Sequence, residues 1–295
     1  MSPNQPLFLA SIGNPPPRWH KTLHSAGHIL LRALAHHLDA PLQPMAPYSL
    51  PTHPPPRDYP GPYTARTQLP HTRTPLTLWQ SPTLMNVSGP TLVRTYEKWC
   101  AEKGVAVGGV VGTTRTKTNA AAVGANIINE DRQCQPTQMS NETKLAKDNI
   151  NNINDTKPIP LNLILLHDDL ELSPGKLSVR RGGASLSARG HNGIKSVVNS
   201  LVKAGILTAP RGAGKKKKAG SGGGIGDAGL IDPTRFQLTR IGVGIGRPAS
   251  REPEEVAEYV LGRMPDRQVE VTEGLVEDLV RILEKEVGMM TGGDI

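Results

Sequence analysis

The chain has 295 residues, room for one large domain or two small ones, and its 31 glycines and 27 prolines assign much of that length to loops. A net charge of +8 favours an anionic partner, nucleic acid or an acidic membrane surface, although Lys215 to Lys218 alone supply half of the excess. Aromatic residues make up only 3% of the chain, which argues against single-strand recognition by base stacking, and a count of two cysteines, Cys100 and Cys134, argues against a disulfide framework or a cysteine-based metal site.

Residues 7–13 (LFLASIG) form a short apolar run ending in Gly-Asn-Pro, the mark of a buried strand entering a turn. An apolar strand this close to the start leaves no room for a signal peptide or an Arg-rich transit peptide, and no run approaches the length of about 18 residues that a membrane-crossing helix needs. Pro15, Pro16 and Pro17 make a stiff connector. From 22 to 38, apolar positions recur every three or four residues, which predicts a helix with Thr22 as its N-cap and His24 in its first turn. Residues 40–72 are crowded with proline and read as an extended surface loop. A strand is expected at 76–80, then a helix at 90–102 that turns Leu92, Val93, Tyr96, Trp99 and Cys100 to one side.

Residues 161–166 (LNLILL) make the strongest strand, apolar at nearly every position as a central strand covered on both faces must be. It ends in His167-Asp168-Asp169-Leu170-Glu171. Strands at 176–181 and 237–246, a helix at 191–202, and closing helices at 254–261 and 267–287 follow. Residues 104–157 and 205–234 are of low complexity and read as disordered insertions. The alternation of strands and helices predicts the α/β class: a single three-layer α/β/α domain over 1–295, with a mixed, mostly parallel sheet.

The polar clusters fall at the ends of these elements, where α/β sheets collect ligands. A helix N-terminus disfavours the imidazolium form of His24, and a carboxylate such as Asp168 could orient that ring and stabilise the charge it gains on taking a proton from water. The plainer reading of His24 is an ordinary satisfied histidine. Asn14, Asn86 and Asn192 are amides that can donate to a carbonyl or orient a water, and each also reads as turn or cap chemistry. Arg180 and Arg240 lie on neighbouring strands and could grip a phosphate bidentately; otherwise they mark a solvated face. No G-x-S-x-G, H-E-x-x-H or G-x-x-x-x-G-K-[ST] pattern occurs, and the Gly242-Val243-Gly244-Ile245-Gly246 run leads to Arg247-Pro248 rather than a helix.

Taken in order, the clusters stop being independent. Gly13-Asn14-Pro15 with His24, Met85-Asn86-Val87-Ser88-Gly89, His167 through Gly175, Gly190-His191-Asn192-Gly193, Arg240 through Gly246 and Tyr259-Val260-Leu261-Gly262 together resemble the bacterial-type peptidyl-tRNA hydrolase family, as a eukaryotic member with long insertions. The resemblance implies His24 as general base, Asp168 as the acid that stabilises it, and Asn14 as the residue that senses a blocked amino group. It implies Asn86 and Asn192 as amides that position the ester carbonyl and water. Leu84, Met85 and His191 join the substrate-binding set; Trp19 stands where Tyr is usual, and Arg180 and Arg240 where basic residues clamp the tRNA 5′-phosphate.

No metal or organic cofactor is implied, and the expected partner is peptidyl-tRNA alone, with no membrane, no obligate protein partner and a monomeric chain. The expected compartment is the cytoplasm, with mitochondria as the alternative. The sequence departs from the family pattern at Pro16, Leu23, Ser25 and Leu84, and inserts 184–189 before His191. The rival reading is a catalytically silent RNA-binding relative acting in organellar RNA processing; a general nucleotide-binding protein comes third.

Overall fold

The computed structural model describes residues 5–15, 19, 21–45, 63–105, 159–209 and 236–291. The chain divides into one compact unit, Met1–Val111 with Pro158–Ile295, and Gly112–Lys157, which lies outside the described residues. Pro16, Cys134, the Lys215 to Lys218 run and most of both expected insertions also fall outside them.

Seven strands form one mixed sheet: β1 (Leu7–Ser11), β2 (Gln43–Pro44), β3 (Tyr63–Gln68), β4 (Pro75–Gln80), β5 (Ile159–Asp169), β6 (Leu177–Gly182) and β7 (Phe236–Gly244), in the spatial order β2-β3-β4-β1-β5-β7-β6. The central four are parallel, and β2, β3 and β6 attach antiparallel at the edges. Helices cover both faces: α1 (Ala26–His37), α2 (Ser88–Lys103), α3 (Asn192–Lys203), α4 (Pro253–Leu261), α5 (Asp266–Glu273) and α6 (Val276–Thr291).

The side-chain period of two splits each central strand between two cores. Leu7 and Leu9 of β1 pack with α1, α4 and α6, whereas Phe8 and Ala10 pack with α2 and α3. On the second face Phe8 sets its ring edgewise on Trp99, 5.3 Å between centroids, and the Trp99 indole donates to Thr77 Oγ1 at 2.9 Å. Burial of each such side chain stabilises the fold by about 1.5 to 3 kcal/mol. Helices α2 and α3 meet at Gly89, where a Cβ would stand 2.1 Å from the Ser196 carbonyl oxygen; only glycine permits that approach.

Several elements differ from their sequence reading. The loop expected over 40–72 contains β2 and β3, because Tyr63–Gln68 finds a full antiparallel partner in β4. The expected final helix is two helices: Gly274 caps α5, Leu275 is buried, and the chain restarts as α6. Asp168 lies within β5 rather than after it. Ile206 and Leu207, at the start of the second expected insertion, are buried against the α2–α3 core.

Helix α6 is fastened to the sheet by charge. Glu286 is 2% exposed, accepts from Arg181 through both Nε (3.0 Å) and Nη2, and accepts from Thr239 Oγ1 at 3.1 Å. Arg181 reaches solvent and can find water if the pair is broken, so Glu286→Ala is expected to cost about 2 kcal/mol, less than for a fully buried pair. Urea unfolding of the two proteins side by side measures this; an unchanged midpoint would show that the apolar face of α6 suffices.

Candidate active site

The chain leaving β1 turns at Gly13-Asn14, passes Trp19 and returns through a 3₁₀ turn, Leu23–Ser25, into α1. His24 therefore stands one turn ahead of α1, not within its first turn. Thr22 is not the expected cap: its hydroxyl donates to the Trp19 carbonyl at 2.9 Å, and its backbone pairs with Arg263. Ser25, fully buried, closes the loop by donating to the carbonyls of Asn14 (2.9 Å) and Trp19 (2.7 Å). This hydroxyl clasp seats the His24 turn beside Asn14.

Parallel pairing sets β1 and β5 side by side in the sheet, so Asn14 just beyond β1 and Asp168 near the end of β5 share one rim. There His24 Nδ1 lies 2.8 Å from Asp168 Oδ2, and His191 Nε2 lies 3.0 Å from Asp168 Oδ1. Burial by itself pushes the Asp168 carboxyl up, but the two histidines together outweigh it and hold the group well below the usual carboxylate range. An ionised Asp168 can only accept, so both imidazoles donate to it and their tautomers follow. His191 is locked twice over: as N-cap of α3 its Nδ1 accepts from the Ile194 backbone N–H at 3.2 Å. His24 keeps Nε2 as an acceptor, with no hydrogen-bond partner for it among the described residues.

His24, Asp168 and His191 are close enough to be read as metal ligands. Each imidazole nitrogen facing Asp168 is spent as a hydrogen-bond donor to a different oxygen, so a cation there would have to displace both protons and re-aim both rings.

The cleft above this triad measures about 630 Å³ and is lined by all eleven residues singled out in the sequence: Asn14, Trp19, His24, Leu84, Met85, Asn86, Asp168, Arg180, His191, Asn192 and Arg240. The Met85 backbone N–H donates to Asn14 Oδ1 at 3.3 Å, and Lys195 Nζ donates to Asn192 Oδ1 at 3.2 Å. With their oxygens engaged, both amides have their NH₂ groups left to donate. Asn86, in the 3₁₀ turn Met85–Val87, is exposed and does not cap α2. Gly193 brings the two walls together, since a Cβ there would meet the Met85 carbonyl at 3.1 Å and the Ile12 side chain at 2.9 Å. Leu84 and Leu261, 47% and 39% exposed, add apolar surface at the mouth.

The sequence reading did not single out His167, Arg189, Arg247, Arg251 or the α4 residues Val256 and Ala257, which also line the cleft. His167 donates from Nδ1 to the Asp168 carbonyl at 2.7 Å and meets the His191 ring edgewise at 5.2 Å. Burial first, then the neighbouring His191, lowers it to about 4. Its place beside Asp168 was the only signal in the sequence, and on a strand a neighbour points to the opposite face.

A family model described as Peptidyl-tRNA hydrolase matches residues 113–221. Peptidyl-tRNA hydrolase of Geobacillus kaustophilus (strain HTA426) is 32% identical over 106 residues, 36% of this chain and 37% of that protein. The Staphylococcus aureus (strain JH9) enzyme of the same name is 30% identical over 126 residues, 43% of this chain and 47% of its own. Over these stretches the chain is similar to peptidyl-tRNA hydrolases. The aligned stretches span less than half the length of these curated relatives of the hydrolase family. The fold is similar to that of crystalline peptidyl-tRNA hydrolase from Acinetobacter baumannii, with a TM-score of 0.50 at 16% identity, covering 99% of this chain and 92% of that one. Within the family-model match lie Asp168, Arg180, His191 and Asn192; Asn14, His24, Asn86 and Arg240 precede or follow it.

Proposed function

We propose that this protein hydrolyses the ester bond of peptidyl-tRNA, releasing peptide and free tRNA, with His24 as the general base. One observation carries the reading: the 2.8 Å contact between His24 Nδ1 and Asp168, inside a cleft that also collects Asn14, Asn86 and Asn192. With Nδ1–H given to Asp168, Nε2 takes a proton from water as that water attacks the ester carbonyl carbon. The charge arriving on the imidazole is offset by the buried carboxylate. Oxygen of the tetrahedral intermediate is received by amide NH₂ groups, and the proton on His24 passes to the departing ribose oxygen. General-base help of this kind is worth about 10² to 10⁴ in rate, and one well-aimed oxyanion donor about 10² to 10³ more.

Asn14 is the residue we assign to sensing the blocked amino group, with Trp19, Leu84 and Met85 flanking the peptide. Arg180 and Arg240 hold the tRNA 5′-phosphate. A cleft of about 630 Å³ suits the aminoacylated end of the substrate and leaves the rest of the tRNA on the outer surface.

Release of tRNA from N-acetyl-aminoacyl-tRNA, compared with the unblocked aminoacyl-tRNA, tests the reading. Cleavage of the blocked form alone is the expected result. Binding of both forms without cleavage would make the protein a silent RNA-binding relative.

A further inference from the structure

Resting on the proposed function, and deepening it at the phosphate-binding end of the cleft, we infer that Arg189 is a third guanidinium of that site and tunes it to a terminal phosphate monoester. Arg180 and Arg240 stand directly opposite each other on antiparallel β6 and β7, a like-charge pairing that a sheet avoids unless something offsets it. Arg240 is 2% exposed; its Nη1 has no hydrogen-bond partner among the described residues, and burial first, then Arg180 and Arg189, brings its guanidinium down to about 10. A buried, partly unsatisfied cation beside two others is an arrangement short of an anion.

The loop that carries Arg189 is built on Arg240. Arg240 Nη2 donates to the carbonyls of Leu186 and Ser187, each at 3.3 Å, and the Arg189 backbone N–H donates to Ser187 Oγ at 3.1 Å. Arg189 takes φ 47°, a left-handed conformation unfavourable for a residue with a Cβ, and Gly190 follows at φ 84°. This double left-handed turn delivers the chain to His191 and puts Arg189 on the cleft wall with Arg180 and Arg240. Among the described residues its guanidinium is held only at 4.0 Å by Asp169, whose two oxygens already serve the Glu171 N–H and the Ser178 hydroxyl, so it is available to a ligand. Three guanidinium groups match a phosphate monoester, which carries close to two charges at neutral pH, better than a backbone diester with one.

The test measures the Kd of uncharged tRNA with its 5′-phosphate, and of the same tRNA after phosphatase treatment, for the wild type, Arg189→Gln and Arg189→Lys. Gln keeps a polar side chain with a Cβ, and so the backbone cost, while removing the charge and the guanidinium fork. The wild type is expected to prefer the phosphorylated tRNA, and Arg189→Gln to lose about three- to tenfold of that preference, with partial retention in Arg189→Lys. An Arg189→Gln protein that keeps the full preference overturns the inference. Equal weakening for both tRNAs does so too, because it would make Arg189 a non-specific basic contact. Absence of any preference in the wild type would instead remove the phosphate-binding role of Arg180 and Arg240, and this inference with it.

Discussion

His24→Ala is expected to lower kcat on N-blocked aminoacyl-tRNA by about 10² to 10⁴ while leaving the Kd for tRNA within about twofold. Its Nε2 is the only imidazole nitrogen of the triad not committed to a protein partner: the other three face Asp168 or the α3 backbone. His24 is 16% exposed, accessible to a water yet fixed by the carboxylate beneath it. Removing the ring takes away the proton acceptor and strands the Asp168 Oδ2 atom, which water can fill through the opened cleft, so the fold should survive. Single-turnover hydrolysis and equilibrium tRNA binding, measured on one preparation, separate the two effects. A variant that binds and still turns over at the wild-type rate would transfer the role of base to another group.

The second large effect is acid lability. His28 is fully buried, hydrogen-bonded through Nδ1 to Ser11 Oγ at 2.7 Å, and has no hydrogen-bond partner for Nε2 among the described residues; burial first, then Arg32, lowers it to about 3. With His167 at about 4, the native state holds two neutral histidines that the unfolded chain protonates near 6.5. Between those values the unfolded state binds more protons, so stability falls as pH falls from about 6.5 towards 4. At pH 5 each histidine removes about 2 kcal/mol, and the two together about 4 kcal/mol relative to pH 7.5. The His167 contribution then levels off near pH 4 and the His28 contribution near pH 3, and below about pH 4 the unfolded chain takes up a proton on Asp168 that the native state, with its depressed carboxyl, does not, which adds a further loss. Urea unfolding at pH 7.5, 6 and 5 reads the slope directly, and His28→Gln should remove about half of it. A stability that stays flat over this range would mean that both rings protonate in place.

Much of this molecule is legible in its sequence because the relevant physics is local. The apolar runs LFLAS and LNLILL, hydrophobic at nearly every position, mark central strands, since a strand buried on both faces has no solvent side to alternate with. Asn14, His24, Asn86, Asp168 and His191 could be singled out because each sits at or near the end of a regular element, and the ends of parallel strands share one edge of the sheet. Arg180 and Arg240 lie within strands, and Trp19 and Leu84 are named only through the family resemblance. Misreadings arose where a distant partner decides the outcome. Tyr63–Gln68 lies in a proline-crowded region and becomes a strand only because β4 offers a complete ladder of backbone groups. A helix expected as one piece breaks at Gly274, where burying Leu275 outweighs continuity of the backbone hydrogen bonds.

By itself the sequence determined the α/β class, the order of the central elements and the list of polar groups at their ends, because periodicity and turn chemistry act over a few residues. Tertiary structure alone decided what those groups are to one another. Two imidazoles on separate oxygens of a single carboxylate, the tautomer each must adopt, and an arginine loop built on a buried guanidinium all depend on contacts across 23 to 144 positions of chain. Separations of that size are closed only by the packing of the sheet and its two helical layers.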